Sequence, residues 1–396
     1  MTYKFLFGQV PRPERPYPNI ARLRAEPYTP SWREFSRNWP FSEPVGFFEH
    51  CINHGLDVQA ITVEQLGDDP AIYPIALSFF DHAADHAGLI PDTVKQLIRQ
   101  GQVRPVIFYS EGDDPRIIAE LLREQELRNA LPARCIHLVS ANSAADQIPA
   151  CSYFADDELL FRHRNRWHPA VPAEPKPRRN TFTCLSRTHK WWRAATMATL
   201  RARGLLDRAI WSYGIDVRTS ETIEDCPISI YAHADLYENL MDFLSAAPYR
   251  ADMLDSDQHN DHEHHVMTHF TDTYFQVILE THLDADGSGG TFVTEKTFKA
   301  IKHGQPFVIF GPPGTLAQLR SMGYRTFDHA IDNSYDLITD NNQRWLSVLE
   351  VVASLVESTD LEHWYRQCWS DAVHNQQIFQ GDLSSRLNTV LQRICS

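Results

Sequence analysis

The stretch best equipped for chemistry is Gly289-Gly-Thr-Phe-Val-Thr-Glu-Lys-Thr-Phe-Lys-Ala-Ile-Lys-His-Gly-Gln-Pro-Phe-Val-Ile-Phe-Gly311. Thr294 stands where it would N-cap a helix that opens with Glu295 and Lys296. The first amides and the dipole of such a helix favour an anion. Lys296 and Lys299 are three residues apart, share a face and add positive charge beside it. Glu295 is an odd neighbour for phosphate, but a carboxylate accepts hydrogen bonds from two vicinal hydroxyls, as a ribose presents. Together these groups describe a nucleotide site better than a bare phosphate site. A plainer reading is that Glu295 and Lys299 form an i,i+4 surface pair worth a few tenths of a kcal/mol.

A second basic segment is Ser186-Arg-Thr-His-Lys-Trp-Trp-Arg193. It follows an apolar run read as a strand, so Arg187 and Lys190 fall at a strand's carboxyl end and the next helix's start. Open α/β sheets bind ligands there. Arg193 reads as part of a solvated helix face, and Trp191 and Trp192 as core or interface residues.

Carboxylates that could take a proton from an acceptor hydroxyl follow other apolar runs. Glu111 and Asp81 each follow a strand-like run in the first half, and Glu158 lies in Ala155-Asp-Asp-Glu158. Asp235 ends the run Tyr231-Ala-His-Ala-Asp235 and is a candidate nucleophile for a reaction that retains configuration. For each, a helix cap or turn is the competing role.

His259-Asn-Asp-His262-Glu-His264-His265, with His269 beyond, is rich enough in imidazole to hold a transition metal. It has no HExxH spacing and reads as a polar loop; a second option is that one imidazole, beside Glu280-Thr-His282, meets a ligand. Asp284-Ala-Asp286 is Gly-flanked and loop-like, not the strand-flanked DxD of a metal-dependent transferase. Gly311-Pro-Pro-Gly314 lacks the Lys-Ser/Thr of a phosphate loop and reads as a turn opening a helix. No metal or other cofactor is expected.

Thr294-Glu-Lys-Thr-Phe-Lys-Ala-Ile followed by Gly304-Gln-Pro-Phe-Val-Ile-Phe-Gly resembles the donor-binding motif of family-10 fucosyltransferases, and is similar to the matching segment of exostosin-like transferases. The resemblance covers roughly residues 181–340. It implies that Glu295 contacts the nucleotide ribose and Lys296 the phosphates. Arg187 resembles the basic residue that other two-domain transferases aim at the donor phosphates. The implied activity is a GT-B glycosyltransferase that moves a sugar from a nucleotide-sugar donor to a glycan or glycolipid acceptor, in cell-surface polysaccharide or glycoconjugate synthesis. GDP-fucose follows from the motif, with inversion at the sugar and Glu111 as base. CMP-Kdo, with Asp235 as nucleophile, is the alternative. The segments Leu319-Arg-Ser-Met-Gly-Tyr-Arg-Thr-Phe327 and Asp332-Asn-Ser-Tyr-Asp336 depart from the family-10 pattern. Two other classes stay open: a metal hydrolase built on the histidine cluster, and a non-catalytic nucleotide- or glycan-binding protein.

The elements that must position these residues are legible as alternating runs. Apolar runs at 71–80, 103–110 and 135–140 read as strands, separated by helical patterns at 89–100 and 115–131. The alternation restarts with strands at 181–185, 209–213, 274–279 and 306–310, and helices at 190–204, 294–303 and 315–322. Such alternation predicts α/β architecture: two Rossmann-like domains, GT-B-like, facing each other across a cleft. The expected divisions are an acceptor-side domain over 1–165, a Pro-rich linker over 166–180, a donor domain over 181–340, and C-terminal helices over 341–396 packing across the domains. A chain of 396 residues exceeds one ordinary core, which agrees with two domains. With 37 Lys+Arg against 51 Asp+Glu the net charge is −14, which argues against a nucleic-acid partner. Seven cysteines without CxxC spacing argue for reduced thiols. No run of about 18 apolar residues predicts a transmembrane helix, and no signal peptide is read. A cytoplasmic location, peripheral to an inner membrane, is the expectation.

Overall fold

The computed structural model describes residues 2–7, 44–77, 85–88, 90–109, 112–164, 170, 173–216, 222–232, 234–251, 266–285, 289–358 and 360–396. The chain divides into two compact units: Met1–Asp156 with Asp286–Gly290 and Asp382–Ser396, and Asp157–Ala285 with Thr291–Gly381. Each is a mixed α/β unit built on a parallel sheet.

In the first unit, six strands run in the order β2-β1-β3-β4-β5-β6. They are β1 (Tyr3–Leu6), β2 (Val58–Ile61), β3 (Ala71–Leu77), β4 (Val103–Tyr109), β5 (His137–Ser140) and β6 (Cys151–Tyr153). The apolar runs of β3 to β5 are continuous because a parallel sheet is covered on both faces. Helix α1 (Pro44–Asn53) precedes β2, and α2 (Asp92–Arg99) and α3 (Pro115–Arg128) form the crossovers between β3, β4 and β5. Asp114 caps α3 by accepting from the Arg116 amide at 2.9 Å, with Pro115 at the first helical position. The short segment Asp286–Gly290 belongs to this unit through Gly290. A Cβ there would fall 1.9 Å from Asn142 Oδ1 and 2.8 Å from the Ala144 nitrogen, so only glycine fits.

In the second unit, four strands run in the order β10-β9-β7-β8: β7 (Asn180–Thr188), β8 (Ile210–Asp216), β9 (Thr273–Leu279) and β10 (Phe307–Phe310). Helix α4 (Asp156–Arg164) leads into this unit, α5 (Trp191–Ala202) joins β7 to β8, and α6 (Ala234–Ser245) follows β8. Helix α7 (Glu295–Lys302) joins β9 to β10, and α8 (Thr315–Ser321) follows β10. The chain leaves β7 toward β8 on one side and leaves β9 toward β10 on the other. The carboxyl ends of β7 and β9 therefore flank the topological switch point, where an open α/β sheet leaves a crevice. Phe182 and Phe275 stack across these two central strands at 5.4 Å, inside the core.

The Pro-rich stretch expected as a linker is, in its described part, packed into the second unit. Arg178 is buried, with its guanidinium on the carbonyls of Phe270 and Thr271 at 2.6 and 3.0 Å, and 4.5 Å over the Tyr365 ring. Arg178 supplies the donors that fasten it. The C-terminal helices are shared out between the units. Helices α9 (Asn341–Glu357) and α10 (Leu361–Gln380) belong to the second. Helix α11 (Ser384–Cys395) belongs to the first, where Asn388 accepts from the Tyr3 hydroxyl at 2.9 Å and Arg393 pairs with Asp146. No helix among the described residues is long and apolar enough to cross a membrane.

Candidate functional site

The site forms at the switch point of the second unit, around a residue that directly continues β9. All seven residues of β9, Thr-Tyr-Phe-Gln-Val-Ile-Leu, are buried, and the chain runs on into Glu280, whose amide donates to the Phe310 carbonyl at 3.0 Å. That bond extends the pairing with β10 and carries a carboxylate to the sheet's edge with no exposed surface. Burial of a carboxylate requires donors, and Glu280 has four. Oε1 accepts from the Thr294 amide at 3.2 Å and the Thr297 hydroxyl at 2.6 Å. Oε2 accepts from the Thr294 hydroxyl at 2.5 Å and the Thr281 amide at 3.2 Å. The Glu280 carbonyl is clamped by Arg193, through Nε at 3.2 Å and Nη2 at 2.6 Å, while Arg193 Nη1 reaches the Thr188 carbonyl at 3.3 Å. One residue thus ties the ends of β7 and β9, the start of α5 and the start of α7.

This arrangement corrects two expectations. Thr294 is the N-cap of α7 by position, but its side chain caps nothing: its hydroxyl is given to Glu280. Glu280, supplied from the preceding strand, sets an acid beside the head of α7, where the dipole favours one, and takes the amide of the N-cap residue Thr294. Arg193, expected on a solvated face, is buried at 3% exposure because the Glu280 and Thr188 carbonyls lie inside.

Lys296 completes the group. Its Nζ lies 3.2 Å from Thr281 Oγ1, 3.1 Å from Thr294 Oγ1 and 3.3 Å from Glu295 Oε1. Its side chain keeps 26% of its surface exposed and that of Glu295 keeps 19%, so both reach the surface. Lys299 is half-buried one turn further along α7. Arg187 is half-buried near the end of β7, and Lys190 is the N-cap residue of α5. Helix α5 has no acidic residue in its first turn and carries Lys190 and Arg193 there instead. Cations at a helix N-terminus oppose the dipole. Arg187, Lys190 and Arg193 thus stand at the end of β7 and the start of α5, and Lys296 in the first turn of α7 with Glu295 beside it.

The neighbouring helix repeats the Glu280 device. Asp336 accepts from the Leu316 and Ala317 amides at 2.9 and 3.0 Å, at the head of α8. Burial pushes its carboxyl upward, against those two bonds. Gly311-Pro-Pro-Gly314 is the turn that opens α8, with Gly314 at φ 83°. Arg344 on α9 is fully buried and holds the loops after β9 and β10 together. It donates to the carbonyls of Leu283, Gly311, Ile338 and Thr339 and to Asn341 Oδ1.

The other sequence candidates have other partners or surroundings, or lie outside the described residues. Glu158 is buried against Arg162 at 2.5 Å and accepts from the Tyr324 hydroxyl, the bonds of a structural carboxylate. Asp235 is exposed in the first turn of α6, where a helix dipole favours an acid. Glu111, Asp81 and His259 to His265 lie outside the described residues. Among the described residues, no three or more His, Cys, Asp or Glu side chains are grouped to hold a metal ion. His282 is half-buried, its ring 6.2 Å from that of Phe292. Sequence reasoning passed over Glu280, Asp336 and Arg344 as site builders. The available signal for Glu280 was a carboxylate placed directly after an unbroken apolar strand and fourteen residues before Thr294.

No protein-family model matches the chain, and no curated protein matches it.

Proposed function

We propose that the protein is a nucleotide-sugar-dependent glycosyltransferase whose second unit binds the donor. The observation that carries this reading is the ammonium of Lys296 beside the end of β9, next to Glu295, with Arg187, Lys190 and Arg193 at the end of β7 and the start of α5. A departing nucleotide gains negative charge as the glycosidic bond breaks, and fixed cations stabilise that charge without a metal. Glu295 offers the two-oxygen acceptor that vicinal ribose hydroxyls need. With Glu280 already at the head of α7, the reading assigns the phosphates to the Lys296 ammonium and to the cationic start of α5. The resemblance of the Thr294–Gly311 segment to family-10 fucosyltransferases supports the same assignment and favours GDP-fucose. A GT-B-like pairing, with the first unit binding a glycan acceptor, is part of the proposal.

Calorimetric titration with GDP, UDP and CMP tests it. The reading expects micromolar-range binding of one of them, lost in Lys296→Ala. A preference for CMP moves the donor to CMP-Kdo. Binding of none of the three, or unchanged affinity in Lys296→Ala, removes the nucleotide from this site.

A further inference from the structure

Lys296 has three N–H donors and three acceptors around them, and two of those acceptors are themselves set by one carboxylate. Thr294 Oγ1 gives its only proton to Glu280 Oε2, so toward Lys296 it can only accept. Thr281 is held by its amide on the same oxygen, and its hydroxyl faces the ammonium. Glu295 Oε1 lies 3.3 Å from Nζ as its ion-pair partner and keeps part of its surface in solvent. Thr297 also bonds Glu280, but through Oε1, and no bond joins it to Lys296.

We propose that Glu280 is a positioning residue for Lys296. Through Thr294 and Thr281 it fixes two of the three ammonium donors and leaves the third to be handed from Glu295 to a phosphoryl oxygen of the nucleotide. The ligand half of this proposal rests on the function proposed above; the positioning half does not. The buried carboxylate cannot touch the ligand, because its four lone-pair directions are already taken by Thr281, Thr294 and Thr297. Its effect is to orient the Thr294 hydroxyl. In Glu280→Gln the amide can donate to Thr294 Oγ1, which turns the hydroxyl proton toward Lys296 and removes an acceptor.

The test uses the full chain with lysine labelled by ¹⁵N, so that the Nζ–H₃ signal of Lys296 reports whether the ammonium is held, together with calorimetric titration of GDP and inorganic pyrophosphate. Thr294→Val and Glu280→Gln should broaden or erase the Lys296 signal and weaken both ligands about tenfold, the order expected for one charge-assisted hydrogen bond. Thr294→Ser should restore both. Thr297→Val removes a bond from the same carboxylate and should lower the melting temperature while leaving signal and affinity unchanged. A Lys296 signal that persists in Thr294→Val, or an equal loss of affinity in Thr297→Val, overturns the positioning role. If the signal responds as described but neither ligand binds the wild-type protein, positioning stands and the phosphoryl ligand is overturned.

Discussion

The Glu280 carboxylate accepts both the amide and the hydroxyl of Thr294, the N-cap residue of α7, so the hydroxyl that would cap the helix is turned to the strand instead. The helix keeps its favourable anion, but that anion now arrives from the end of β9 and joins strand to helix inside the core. Replacing Glu280 by Ala leaves two amides and two hydroxyls in a buried space without their acceptor. A cost of about 3 kcal/mol or more is expected, since each buried unsatisfied donor costs about 1–3 kcal/mol. Urea denaturation should show the unfolding free energy falling by that amount, with Thr294→Ser nearly neutral. A midpoint unchanged in Glu280→Ala would mean that the site collapses without needing the carboxylate.

Glu295 and Lys296 restrain each other at 3.3 Å, so removing the charge of Glu295 has opposite effects on two ligands. In Glu295→Gln the ammonium loses its ionic partner, and inorganic pyrophosphate should bind severalfold more tightly. A nucleoside diphosphate loses the carboxylate that would bond its ribose and should bind more weakly, by about tenfold for a charge-assisted pair of hydrogen bonds. Titration of both ligands into the variant separates the two roles. A parallel change for both ligands would take the ribose away from Glu295.

The elements of this fold were legible in the sequence where apolar runs are unbroken. The expected strands at 71–80 and 103–110 appear as Ala71–Leu77 and Val103–Tyr109, and the helix expected from Pro115 starts there. Lys296 and Glu295 stood out as candidates because their types carry the chemistry. Glu280, Asp336 and Arg344 did not, because their meaning lies in partners far along the chain: Glu280 with Thr294 and Thr297, Asp336 with Leu316, Arg344 with Leu283. Arg193 misled for the same reason. Its helical position reads as solvated, and only the carbonyl of Glu280, 87 residues away, explains its burial.

Arg344 is expected to be among the most sensitive positions of the second unit. Arg344→Met removes every donor from four carbonyls and keeps the volume. Each buried carbonyl left without its donor costs about 1–3 kcal/mol, so a large destabilisation is expected. Arg344→Lys should recover little, since three donors on one nitrogen cannot span carbonyls that a planar guanidinium reaches in different directions. Thermal denaturation of the two variants checks this. A melting temperature of Arg344→Lys close to wild type would show that charge alone, not the fork, closes the loops.

The reacting carboxylate separates the two donor readings. If transfer inverts the sugar with Glu111 as base, Glu111→Gln should abolish transfer while nucleotide affinity stays as it was, because only proton removal in the transition state is lost. If transfer retains configuration with Asp235 as nucleophile, intact-protein mass spectrometry should show an adduct of one sugar on Asp235. The fucosyltransferase resemblance favours the first outcome. A fully active Glu111→Gln enzyme removes the inverting assignment.

The first unit carries two groups whose protonation pulls its stability in opposite directions over the same pH range. His137 on β5 is buried with Nε2 2.8 Å from Ser152 Oγ. Burial, with the positive charges of Arg104 and Arg393, pushes its imidazole down to about 4. Between that value and the usual 6.5 the unfolded chain binds a proton that the folded one refuses. This contribution is therefore complete above 6.5 and is lost as pH falls toward 4, a swing of about 3 kcal/mol at 1.36 kcal/mol per unit. Burial pushes the Asp156 carboxyl the other way, up to about 7 from an ordinary 3.8. The folded chain then holds a proton that the unfolded one has released, so stability from Asp156 rises as pH falls from 7 to 4. Asp156 keeps part of its surface in solvent, which makes its swing smaller than burial alone implies. Urea midpoints measured from pH 7.5 to 4 should thus fall in Asp156→Asn, where the histidine acts alone, and rise in His137→Gln. Parallel pH profiles for the two variants would show that neither group titrates as its surroundings dictate.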